Sequence, residues 1–164
     1  VTATSQKKES HQAVDRKGKK TAELKKPDEK YLNKALSKQD ALLEKYGSMD
    51  AYYDVVPINC KVKKDNSLFI TAEGLAMPCC WTAGRMYKWW NKDPKTEQVW
   101  NFIDAAGGKD SVNAKKAGLR AVFETGMFDA IEASWNTKGC ANGKLKVCSM
   151  KCGVEFDPFA EQFR

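Results

Sequence analysis

Histidine is nearly absent from this chain of 164 residues: His11 is the only one, set in a polar stretch. That leaves no credible Ser–His–Asp triad and no histidine-rich metal site. Long apolar runs are missing too. No stretch approaches eighteen apolar residues, so nothing reads as a membrane-spanning helix. The first thirty residues contain no apolar h-region, so no secretory signal peptide is read there. They also contain no aromatic residue, and Val1, Val14 and Leu24 are their only large aliphatic side chains. Val1 stands where Met would, as expected after removal of an initiator Met or cleavage from a longer precursor.

What the chain does hold is charge and cysteine. Lys and Arg number 28 against 21 Asp and Glu, a net charge of +7. The surplus is uneven. Lys7, Lys8, Arg16, Lys17, Lys19, Lys20, Lys25, Lys26 and Lys30 face Glu9, Asp15, Glu23, Asp28 and Glu29, so residues 1–30 carry 9 − 5 = 4 of those charges. A segment this poor in apolar surface cannot offset the entropy of ordering its backbone. Residues 1–29 are therefore expected to be a disordered basic arm. Such an arm is either a solvated tail or a contact for nucleic acid or an acidic protein surface.

Residues 30–164 read as a single small α+β domain with its core at 57–155. Leu32, Ala35, Leu36, Leu42, Leu43 and Tyr46 recur at helical spacing, and Gly47 supplies a stop. Tyr52, Tyr53, Val55, Val56 and Ile58 suggest an extended lead-in. Ser67–Thr71 and Leu75–Pro78 flank Ala72-Glu73-Gly74 and predict a β-hairpin, with Gly74 at the positive-φ position of its turn. Asp93-Pro94 predicts the start of a helix carrying Val99, Phe102, Ile103 and Ala106, ended by Gly107-Gly108. Leu119, Val122 and Phe123 mark a short helix, and after Gly126 a further one carries Met127, Phe128, Ile131 and Trp135. Residues 136–153 read as a loop rich in Gly, Lys and Cys.

The six cysteines are Cys60, Cys79, Cys80, Cys140, Cys148 and Cys152. Cys60 precedes the hairpin and Cys79 follows it, so the two should meet, while Cys140, Cys148 and Cys152 cluster near the end of the domain. Two local groups joined by a helical insert can converge as a four-thiolate site. Three chemistries compete: disulfides, which lack a secretory signal to support them, a structural zinc, which usually shows CxxC knuckles absent here, and an iron–sulfur cluster, which accepts wider spacing. Spacing alone leaves metal and disulfide open.

Cys60, thirteen residues, Gly74, four residues and Cys79, with the surrounding LFITAEGLAMPCCW, resembles the opening signature of the SPASM and twitch domains. These are the auxiliary-cluster domains at the C-terminal end of many radical S-adenosylmethionine enzymes. The insert ending in FDAIEASW and the three-residue spacing between Cys148 and Cys152 are similar to that family over roughly residues 57–155. The resemblance implies one [4Fe–4S] cluster held by Cys60, Cys79, Cys148 and Cys152, with Cys140 as the substitute for Cys148. Six cysteines cannot supply the eight ligands of the two-cluster form. The CxxxCxxC loop of the catalytic barrel is also absent from this sequence. Cys80, next to Cys79, is then expected to be a buried small hydrophobe.

Residues 81–92, WTAGRMYKWWNK, interleave Trp81, Tyr87, Trp89 and Trp90 with Arg85, Lys88 and Lys92. Single-stranded nucleic-acid platforms use this pattern, but in so small a domain the rings are expected first to roof the cluster and cap the core. The expected function is a non-catalytic iron–sulfur accessory domain, structural or electron-relaying, acting with a protein partner in the cytoplasm. The alternative is a structural or assembly protein, such as a phage virion component, whose cysteine site holds a cluster, zinc or free thiols and only stabilises the scaffold. Nucleic acid bound through residues 1–30 is a third expectation. No acid–base or nucleophile constellation supports an enzyme in its own right.

Overall fold

A computed structural model describes residues 10–25, 28–31, 35–87 and 94–156. Leu32, Lys88, Trp89, Trp90, Lys92 and Asp93 lie outside the described residues, as do residues 1–9. Helix outweighs strand in an α+β arrangement.

Residues 10–25, expected as an unstructured arm, instead form a hairpin. Strand β1 (Ser10–Val14) pairs antiparallel with β2 (Lys20–Lys25), placing His11 opposite Leu24 and Ala13 opposite Ala22. A local device sets the turn: the Asp15 carboxylate accepts hydrogen bonds from the Lys17 and Lys19 amides at 2.8 and 2.9 Å. Tyr31 closes a single 3₁₀ turn, Glu29–Tyr31.

Helix α1 (Ala35–Tyr46) covers the second half of the predicted stripe, with Leu42 buried, and ends where the Gly47 amide donates to the Leu43 carbonyl. Residues 52–55, read as the start of an extended lead-in, belong instead to helix α2 (Met49–Val55). The Ser48 hydroxyl caps it by accepting from the Ala51 amide at 3.0 Å. Tyr52 and Val56, four positions apart, are buried with Leu42 and Phe156, so packing on one helical face overrides the strand preference of aromatic and β-branched residues.

A short helix, α3 (Lys61–Lys64), leads to the predicted hairpin. Its regular pairing is limited to β3 (Phe69–Ile70) and β4 (Ala76–Met77), with Phe69 opposite Met77. Gly74 at φ +92 makes the turn. Residues 112–114 then run alongside: the Ala76 amide donates to Val112 at 2.9 Å, and the Ala114 amide to Gly74 at 2.8 Å. Helix α4 (Cys80–Met86) starts directly after the hairpin. Helix α5 (Pro94–Ala105) begins on the predicted proline and stops at Gly107 and Gly108, both at positive φ. Helices α6 (Leu119–Glu124) and α7 (Met127–Ser134) meet at Gly126. The main core gathers Met77, Met86, Val99, Ile103, Val122 and Met127 with Ile131 and Leu145. Within the expected 136–153 loop, Cys140–Asn142 is a 3₁₀ turn and Lys146–Cys152 is helix α8. No described helix is long and apolar enough to cross a membrane.

Candidate metal centre

Three backbone devices aim the four expected cysteines at one place. Cys148 and Cys152 are four positions apart on α8, one turn of one helix face. Next, the chain leaving α8 pairs with the chain entering α3. Ile58 bridges Gly153, the Asn59 amide donates to the Cys152 carbonyl at 2.9 Å, and the Val154 amide donates to Pro57 at 3.1 Å. Glycine is required at 153, because a Cβ there would stand 2.6 Å from the Ser149 carbonyl and 2.9 Å from the Tyr52 hydroxyl. This ladder sets Cys60, at the start of α3, beside Cys152. The third device is the hairpin, which returns the chain to Cys79 at the N-cap of α4. There the Thr82 hydroxyl takes a hydrogen bond from the Cys79 amide at 3.1 Å, and its oxygen lies 3.3 Å from the Cys79 sulfur.

Cys60, Cys79, Cys148 and Cys152 accordingly line one chamber of about 20 Å³, walled otherwise mainly by apolar side chains including Trp81, Ile131 and Trp135, together with Thr82 and Lys151. All six cysteines are free thiols. Among the described residues no three Cys, His, Asp or Glu side chains are close enough to hold a single ion. The thiols ring the chamber without closing on a point. Burial pushes the Cys148 and Cys152 thiols above their ordinary range. The Trp135 indole works against this at Cys148, favouring the thiolate. Its buried Nε1–H faces that sulfur but makes no hydrogen bond within normal reach.

The donor set can be weighed against the groups it was expected to hold. Four thiols with no oxygen or imidazole among them suit zinc or an iron–sulfur cluster, and an unpartnered N–H in the wall suits an occupant that carries acceptor sulfur. The free volume matches about one water molecule. A single ion would draw the thiols inward, and a cube of irons and sulfides would spread them.

Cys140 lies elsewhere and is not a substitute ligand in this geometry. Its amide donates to the Asp54 carboxylate at 2.7 Å, and its thiol donates toward the Tyr53 carbonyl at 3.7 Å. Burial, reinforced by the Asp54 carboxylate, raises that thiol to about 11. Cys80, expected to be buried, is exposed, because as the first residue of α4 it points away from the core that Thr82 and Ala83 enter.

The loop before α8 is held by residues that no local pattern announces. Lys144 is 2% exposed, and its ammonium donates to the Val56 and Asp54 carbonyls at 2.6 and 3.3 Å, closing the end of α2. Burial lowers its pKa. The Gln98 amide on α5 donates to the Cys140 and Lys144 carbonyls, and its oxygen accepts from the Lys146 amide. Only the four-position spacing of Cys148 and Cys152 was a signal for the helix that these contacts hold. Compared with family models, with curated proteins and with solved structures, the chain matches none of them.

Proposed function

We propose that this chain is a non-catalytic accessory domain binding one [4Fe–4S] cluster through Cys60, Cys79, Cys148 and Cys152, and that it acts with a protein partner. The observation that carries the reading is the four-thiol chamber, built from three separated segments beside the buried indole N–H of Trp135. The resemblance of residues 57–155 to SPASM and twitch domains supplies the cluster type. When bound, the cluster would lock the fold or exchange single electrons. The chain's own part is to converge the thiols, exclude water with Trp81 and Trp135, and offer an N–H to sulfur.

Anaerobically purified protein should contain iron and acid-labile sulfide in equal amounts, about four of each per chain, with broad visible absorption. Replacing Cys148 or Cys152 with Ser should lower bound iron at least about tenfold, while Cys80→Ser and Cys140→Ser leave it unchanged. Protein that remains iron-free after anaerobic reconstitution would falsify the cluster. A second reading, a structural zinc in an assembly protein, is favoured by one observation, the near-single-atom volume of the chamber. It predicts one zinc per chain, no visible absorption, and unfolding by chelators.

A further inference from the structure

The thiol chamber has an apolar neighbour. A second cavity, of about 320 Å³, shares Cys60, Val62, Pro78, Ile131 and Trp135 with the chamber as common lining. The Phe123 and Phe128 rings also line it, 5.1 Å apart between centroids and tilted by 34°. Leu68, on the chain leading into β3, adds to the wall. Phe123 and Leu68 are 49% and 37% exposed, so large apolar side chains border this cavity in contact with water. Its polar lining is sparse and balanced. Lys63 of α3 and Glu132 of α7 form an ion pair with each other, and Asn66 and Ser67 are exposed and uncharged. Asn66 is the only non-glycine residue at positive φ among the described residues, a strained backbone class that recurs at ligand sites.

We propose that this cavity binds a neutral, planar aromatic small molecule of about two fused rings. Size, charge and shape select that class. Small-ligand pockets run to about 300–1,000 Å³, so this one stands at the compact end. Its charged lining residues among those described, Lys63 and Glu132, already pair with each other. An ionic ligand would lose hydration there without gaining a free counter-charge. Phe123, Phe128 and Trp135 offer three rings, and aromatic pairs gain from ring-to-ring geometry beyond the area they bury. Asn66 and Ser67 supply donors and acceptors for one polar substituent. A guest in this cavity lies against Cys60, which is only half-buried, and so borders the thiol chamber without entering it. The site goes beyond the accessory reading and does not rest on a bound cluster.

Calorimetric titration of the whole chain with naphthol tests the site. Naphthol should bind saturably, one molecule per chain. Phe123→Ala should weaken it about fivefold or more, and so should Leu68→Ala from a separate segment. Leu119→Ala, exposed on the same helix as Phe123 but outside the cavity, should change it less than about twofold. Naphthoate, the same rings with an anionic group, and decalol, the saturated counterpart of naphthol, should each bind at least about fivefold more weakly. Circular dichroism checks folding, and Leu68→Ala carries the test if Phe123→Ala does not fold. Absence of saturable naphthol binding would overturn the proposal, as would equal losses in the cavity variants and Leu119→Ala. Naphthoate or decalol binding as tightly as naphthol would overturn the ligand class. Iron analysis of the same preparations decides the cluster separately, and naphthol binding in iron-free protein upholds the site while the cluster reading falls.

Discussion

Trp135 shows how much a single atom can decide. A buried N–H with no partner costs about 1–3 kcal/mol, so the chamber wall carries a penalty that a sulfur-bearing occupant would relieve. Trp135→Phe keeps most of the ring and removes the donor. In metal-free protein the variant should be as stable as the parent or more so, by up to about 2 kcal/mol in a urea titration. In loaded protein it should shift the midpoint potential while leaving iron content unchanged. An unshifted potential would mean that the indole does not meet the occupant.

Cys140 couples the stability of the fold to pH. Its thiol titrates near 9 when unfolded and at about 11 when folded, raised by burial and by Asp54. Between those values the native state holds the extra proton, so stability is full below pH 9 and falls as pH rises toward 11. Urea midpoints at pH 8 and pH 10.5 should differ less in Cys140→Ala than in the parent chain. An identical pH dependence would dismiss the thiol as a contributor.

Among the elements, those legible in the sequence carry their own start and stop signals. Pro94 opens α5 and Gly107 closes it, and the turn glycine of the hairpin sits at φ +92 as required. Gly74→Ala should cost about 1–2 kcal/mol for the left-handed backbone alone. It should cost more where the new Cβ meets the Asn113 side chain at 2.9 Å, a loss read as a lower melting temperature and weaker iron retention. Helices α2 and α8 were illegible for a different reason. The Tyr and Val residues of α2 favour strands in isolation, and α8 is helical because Gln98, Asp54 and Lys144 pin the loop before it. The β1–β2 hairpin is instead a local structure with almost no burial, and Lys20–Lys25 is exposed throughout. Two strands alone are marginal in water, so the amides of residues 10–25 should exchange much faster than those of α5.

Across the whole molecule, that separation predicts that removing residues 1–25 changes the melting temperature by less than roughly 2 °C and leaves bound iron unaltered. A larger drop would show that the hairpin is part of the folded core. The meeting of Cys60 with Cys79 was legible because a hairpin is local. The placement of Cys152 beside Cys60 was not, since it depends on a ladder between residues 57–59 and 152–154, with no pattern in either segment alone.

That ladder also orders events during synthesis. Cys60 and Cys79 leave the ribosome first, and 148 − 79 = 69 residues pass before Cys148 follows. At usual elongation rates this is roughly 4–14 seconds. For that interval the early thiols have neither their partners nor the strand that aligns them. On the cluster reading, loading follows completion of the fold, and the emerging thiols need protection from oxidation until α8 arrives.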